Sequence, residues 1–137
     1  MYPSDIVLPM KAELTSNGFE DLSTPDAVEA AMNQSGTTLL VINSVCGCSA
    51  GTARPGVLRA VQNASKKPSH LATSFAGFDI DAVKKARTYL LPYPPSSPAI
   101  ALLKDGQLVH MIERHMIEGR SADMISAALV AAFEEHC

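Results

Sequence analysis

Long apolar runs are missing from this chain. Its most hydrophobic central stretch, Leu39-Leu40-Val41-Ile42, falls far short of the ~20 residues that span a bilayer. The opening residues, Met1-Tyr2-Pro3-Ser4-Asp5, carry neither the basic segment nor the apolar core of a secretory signal, so the expected address is cytoplasmic. Runs of positive charge are also missing. Nothing exceeds the pair Lys66-Lys67, and 11 Lys and Arg face 14 Asp and Glu for a formal net charge of -3. That balance gives no electrostatic footprint for nucleic acid or an anionic membrane, which leaves small molecules and other proteins as expected partners. Cysteine is scarce, at three in 137 residues, and a structural disulfide framework suits neither an odd count nor a reducing compartment. A cysteine pair here is read first as reactive or metal-binding.

What is present fits one domain covering residues 1–137, a length that buries about two-thirds of the unfolded surface. Leu8, Met10 and Leu14 before Asn17-Gly18 predict a short helix over 8–19. Thr24-Pro25-Asp26 supplies a cap, a first-turn proline and a first-turn acid for a helix to about Gln34. Thr37 to Asn43 is β-branched and almost wholly apolar, as a central strand covered on both faces requires. Helical spacing then returns at Val57-Leu58, Val61 and Ala64. A strand over 70–76 and a helix over 79–91, with Ile80, Val83, Ala86 and Leu90 on one face, come next. The prolines of Pro92-Tyr93-Pro94-Pro95-Ser96-Ser97-Pro98 enforce a rigid loop. Asp105-Gly106 between two apolar runs predicts a hairpin of strands over 99–103 and 108–113, and Ser121 opens a last helix to about Glu135. The order β-α-β-α-β-β-α, after one or two helices, is that of an α/β protein.

The chemistry gathers directly after the buried strand, at Val45-Cys46-Gly47-Cys48-Ser49. Side chains at the carboxyl end of such a strand enter the crevice where open α/β sheets hold ligands. A following helix aims its N–H groups at this loop and favours thiolate, with Cys46 the better-placed nucleophile. Pro55 leaves two alternatives: the helix begins at Cys48 and kinks, or it begins near Thr52 and its dipole reaches Cys46 less well. Bridging Cys46 to Cys48 demands a bent backbone, which Gly47 permits, and the small ring is expected to reduce easily. Such a pair suits thiol exchange.

A metal or cluster site built from Cys46, Cys48, His136 and Cys137 is the competing chemistry. Zinc sites, however, space their first cysteines by about two to four residues, so no metal is expected. His70, His110 and five methionines (10, 32, 111, 116 and 124) are read as packing or surface residues. Cys137 is a terminal thiol or a third redox partner.

Asn43-Ser44-Val45-Cys46-Gly47-Cys48, Ala53-Arg54-Pro55, Phe75-Ala76-Gly77, Pro95-Ser96-Ser97-Pro98, Arg114-His115 with Ile117-Glu118-Gly119, and the terminal His136-Cys137 together resemble the bacilliredoxin family from about Val7 onward. The resemblance implies a thioredoxin-like three-layer fold: a central mixed sheet flanked by helices, with an N-terminal helical extension. It implies a cytoplasmic oxidoreductase that strips bacillithiol, or another low-molecular-weight thiol acting as co-substrate, from proteins carrying it as a mixed disulfide. Disulfide isomerase activity is the alternative within that class. Cys46 maps to the family's nucleophile, Cys48 to a candidate resolving thiol, and Pro98 to the cis-proline beside the site. Strand directions further place Arg114 and His115 on the same edge. Arg54, Arg114 and His115 are therefore expected to favour thiolate at Cys46 and to bind carboxylates of the thiol.

Overall fold

The computed structural model describes residues 1–137. In chain order it contains α1 (Ser4–Thr15), β1 (Glu20–Asp21), α2 (Pro25–Met32), β2 (Thr37–Asn43), a π-helical turn (Ser49–Ala53), α3 (Arg54–Asn63), β3 (His70–Phe75), α4 (Ile80–Thr88), β4 (Ala99–Lys104), β5 (Gln107–Ile112), α5 (Arg114–Ile117) and α6 (Ala122–His136). One mixed sheet runs β1-β3-β2-β4-β5, with β1, β3 and β2 parallel and β4 and β5 antiparallel to their neighbours. No helix is long and apolar enough to cross a membrane.

All seven residues of β2 are buried, because each face of the sheet carries helices. Leu39 and Val41 join Val57, Ile125, Leu129 and Phe133 in one core, while Leu40 and Ile42 join Val28, Val83, Ala86 and Leu90 in the other. The period-two alternation of a strand thus divides one apolar run between two cores. Thr24 caps α2 through its Oγ1, and Ser121 caps α6 in the same way. Asp105 and Gly106 both adopt positive φ, at 50° and 80°, the geometry of a two-residue hairpin turn.

The expected helix over 8–19 instead spans Ser4–Thr15 with Pro9 inside it. Its buried face is Val7, Lys11 and Leu14, whereas Leu8 is exposed. Packing at i, i+4 and i+7 outweighs the backbone bond that Pro9 removes. Ile80 also departs from expectation: it lies on the open side of α4 and is 53% exposed. Met116 and Met124 are exposed as well, though Met32 and Met111 are buried.

Candidate active site

β2 and β3 end together at Asn43 and Phe75, and β4 starts beside them at Ala99. β5 then returns to this edge and delivers Arg114, whose N–H donates to Ser96 Oγ at 3.3 Å. Three separated segments of the chain meet around Cys46.

The helix does begin at the cysteines. The Cys46 carbonyl accepts the N–H groups of Ser49 at 2.9 Å and Ala50 at 3.2 Å. Pro55 is accommodated by a π turn, in which the Arg54 N–H reaches back five residues to Ser49 O, so neither a sharp break nor a late start is needed. Residues 46–48 are consequently bent, not extended. Gly47 has no positive φ and nothing lies within 4 Å of an added Cβ, so the bend of the dithiol state leaves room for alanine.

Both thiols are free and half-buried, and Cys46 Sγ accepts the Cys48 N–H at 3.3 Å. Hydrogen bonding from the Cys48 side chain holds the Cys46 thiol below its ordinary range. Burial opposes that shift, while the N–H groups of Cys48 and Ser49 and the charge of Arg114 reinforce it. Cys48 moves the other way. Burial raises it first, and its bond to and charge repulsion from Cys46 raise it further. The pair is thereby divided into a more readily ionised thiol at Cys46 and a reserve thiol at Cys48.

Cys46 faces a cleft of about 330 Å³ whose walls include Tyr2, Gly77, Ser97 and Arg114. The Ser97–Pro98 bond is cis, as the resemblance implied, and it sits beside this cleft through Ser97. Arg114 binds Glu118 Oε1 through Nε at 2.5 Å and donates from a terminal nitrogen to Ser97 O at 3.3 Å.

Two expected ligand contacts fall elsewhere. Arg54 is only 1% exposed and lies beneath the loop, where one terminal nitrogen reaches Asn43 Oδ1 at 2.9 Å, Ser44 O at 2.9 Å and Ser49 Oγ at 3.1 Å. Its Nε is 3.1 Å from Glu13 Oε1, an ion pair at an angle that makes no hydrogen bond. Arg54 braces the nucleophile's loop and cannot reach a ligand in the cleft. Position 54 lies near the core-facing side of a helix that buries Ala53 and Val57, a pattern visible in the sequence. His115 is turned out to solvent, with Glu113 at 3.9 Å, because adjacent helical residues point about 100° apart and Arg114 takes the inward direction.

Cys137 is exposed at the far end of α6, about 22 Å along the helix from the end that packs against the site. Thr52 meets Arg120 at the near end of α6 and Ser65 meets Glu134 at the far end. Cys137 therefore cannot resolve Cys46 of its own chain, and the four residues considered for a metal do not come together.

Sequence reasoning missed Tyr2 and Asn43. The Tyr2 N–H donates to Gly77 O at 2.9 Å, and its ring lies against Gly77, whose φ of 78° and missing Cβ make that approach possible. No local signal joins residues so distant in sequence. Asn43 did leave one, as the lone amide ending an apolar strand. Its Oδ1 accepts from Ser44 N–H, Ser49 Oγ–H and Arg54.

The model of a family described as "Disulphide isomerase" matches residues 2–137. A Cytophaga hutchinsonii protein named Bacilliredoxin is 63% identical over 98% of this chain and 99% of its own. Another of that name, from Bacillus cereus, is 53% identical over 99% and 95%. Among solved structures, mitochondrial thioredoxin 3 from Saccharomyces cerevisiae aligns with a TM-score of 0.60 at 16% identity, covering 90% of this chain and 98% of its own. Fasciola hepatica thioredoxin gives 0.61 at 16% identity, over 87% and 100%. The fold is thioredoxin-like.

Proposed function

The chain belongs to the bacilliredoxin family of thiol oxidoreductases, and on that premise we propose that it removes bacillithiol from cytoplasmic proteins that carry it as a mixed disulfide. The observation that carries this reading is the opposite displacement of the two thiols, Cys46 towards thiolate and Cys48 away from it.

The Cys46 thiolate attacks the sulfur of the small thiol. A Cys46–small-thiol disulfide forms as the protein–sulfur bond breaks, and the released protein thiolate takes a proton from water. No net electrons move. Once Cys46 is tied up in a disulfide, its charge no longer opposes ionisation of Cys48; burial and the charge of Glu118 still hold that thiol up, and Arg114 counters them. Cys48 can then attack Cys46, releasing the small thiol and leaving a Cys46–Cys48 bond, or a second small thiol can take that step. Intact mass after incubation with one protein carrying either bacillithiol or glutathione tests the reading. A bacillithiol adduct or its loss through Cys48 is expected, with glutathione slower. Equal rates would remove the bacillithiol assignment.

Arg114 is proposed to hold a carboxylate of the small thiol as well as to favour thiolate. Arg114→Ala is expected to raise the Cys46 pKa and slow mixed-disulfide turnover by about two- to fivefold, the range of an exposed charge pair. Iodoacetamide alkylation against pH measures the first effect. No change in either quantity rejects the role.

The family description favours disulfide isomerisation as a second reading. Refolding of a scrambled protein, compared with release of a bound small thiol, separates the two.

A further inference from the structure

The cleft at Cys46 continues past Gly77. A second hollow of about 400 Å³ shares Ala76, Gly77 and Ser97 with the first and extends along α4 to Ile80, Lys84 and Arg87. We propose that this hollow is a subsite for the acidic arm of the small thiol, with Lys84 and Arg87 binding its carboxylates; the proposal rests on the reading of Cys46 as the thiol-transfer nucleophile.

Charge is the first argument. The chain has more acids than bases, yet no Asp or Glu lines either hollow, while Arg114, Lys84 and Arg87 do. Lys84 and Arg87 stand three residues apart on one face of α4, and neither makes an ion pair. Arg87 is instead aimed by a terminal nitrogen that donates to Ser96 O at 3.0 Å, which anchors the guanidinium to the loop carrying Ser97. A cation held by a neutral carbonyl keeps its charge available to a ligand.

Position is the second. When Cys46 takes the small thiol, the rest of that molecule must leave the sulfur through the 330 Å³ cleft. Tyr2 walls the cleft, and the hollow beside Ile80 adjoins it at Ala76, Gly77 and Ser97. Ile80 and Val83 give this hollow an apolar surface next to its cations, which suits a short carbon skeleton ending in carboxylates. The exposure of Ile80 thus acquires a use.

Two N-acetylated tripeptide amides, Cys-Asp-Glu and Cys-Asn-Gln, match in size and differ in carboxylates. Each is loaded as a mixed disulfide onto one single-cysteine reporter protein, and its transfer to Cys46 is timed by intact mass. The acidic probe is expected to transfer several-fold faster, with an advantage that shrinks as salt is added. Lys84→Gln and Arg87→Gln should each cut that advantage by about threefold, read as the ratio of the two probes' rates within each variant, while Arg87→Lys restores much of it. If both probes keep their wild-type rates in the variants, the subsite is overturned and thiol transfer at Cys46 stands. Equal slowing of both probes also overturns it, since the cations then serve the reporter protein. A reporter protein that keeps its small thiol, with neither an adduct on Cys46 nor a Cys46–Cys48 bond formed, would instead remove the thiol-transfer reading beneath the proposal.

Discussion

A Cys46→Ala variant transfers no small thiol, and its rate falls by at least about a thousandfold, because the attacking atom is gone and Cys48 cannot replace it. Cys48 begins as the thiol that burial and Cys46 push up, so it is mostly protonated near neutral pH. It also sits two residues further along the helix start, and it packs against the core beneath α3 and α6. The opposite variant, Cys48→Ala, retains the first step and accumulates the Cys46 adduct, since the internal attack that would clear it is removed. Intact mass under single-turnover conditions reads both results. Transfer without Cys46 would reject the assignment.

Cys48→Ala carries a second expected effect. The Cys48 side chain is the leading cause of the lowered Cys46 pKa, so its removal shifts the Cys46 ionisation upward, further than Arg114→Ala does. At pH values below the Cys46 pKa, each unit of such a rise drops the thiolate fraction about tenfold, while the stronger nucleophile recovers about threefold, leaving a net loss of about threefold. The rate–pH curve should accordingly move to higher pH and level off about threefold higher for each unit of the shift. An inflection that stays in place would mean that the helix-start N–H groups and Arg114 set the thiolate without the Cys48 side chain.

How much of this site could be read without coordinates depends on the range of the interactions. β2 is legible because seven neighbouring residues share one apolar character, and the hairpin because Asp105-Gly106 is a local turn. The caps Thr24 and Ser121 act within three residues of themselves. β1, by contrast, is two exposed residues that are a strand only because β3 lies beside them. α5 is a four-residue turn tied to the Ser96-Ser97 loop through Arg114. Tyr2, Lys84 and Arg87 belong to the cleft by tertiary placement alone. Arg54 shows the opposite error: its charge suggested a ligand contact, while its helical phase placed it under the loop.

Lys11→Met is the variant with the largest expected cost in stability. Lys11 is 6% exposed, and its Nζ stands 2.8 Å from both Asp21 Oδ1 and Asp79 Oδ2, with the Phe78 ring centred 5.2 Å away. Asp79 is itself buried, and its Oδ2 also accepts the Phe75 N–H at 3.0 Å. Methionine preserves the volume of the lysine stem but leaves the Asp79 carboxylate buried without a counter-charge, a loss of about 3–5 kcal/mol. For a chain of this size that lowers the melting temperature by roughly 10–15 °C. The double variant Lys11→Met with Asp79→Asn should recover part of it, because no lone buried charge remains. A loss under about 1 kcal/mol in the single variant would show that water screens the pair. The pH dependence has a definite sign. Burial pushes the Lys11 ammonium down, but its bonds to Asp21 and Asp79 prevail and hold it above its ordinary value. Its contribution is therefore complete below the lysine's unfolded pKa and is lost as pH rises through the higher folded value, so on the alkaline side the wild type should keep its margin over Lys11→Met until the solution is strongly alkaline. The same residue bears on the cleft. Lys11 ties α1 to Asp79, two residues from the Gly77 carbonyl that receives Tyr2, so freeing it should loosen the Tyr2 wall before the chain unfolds.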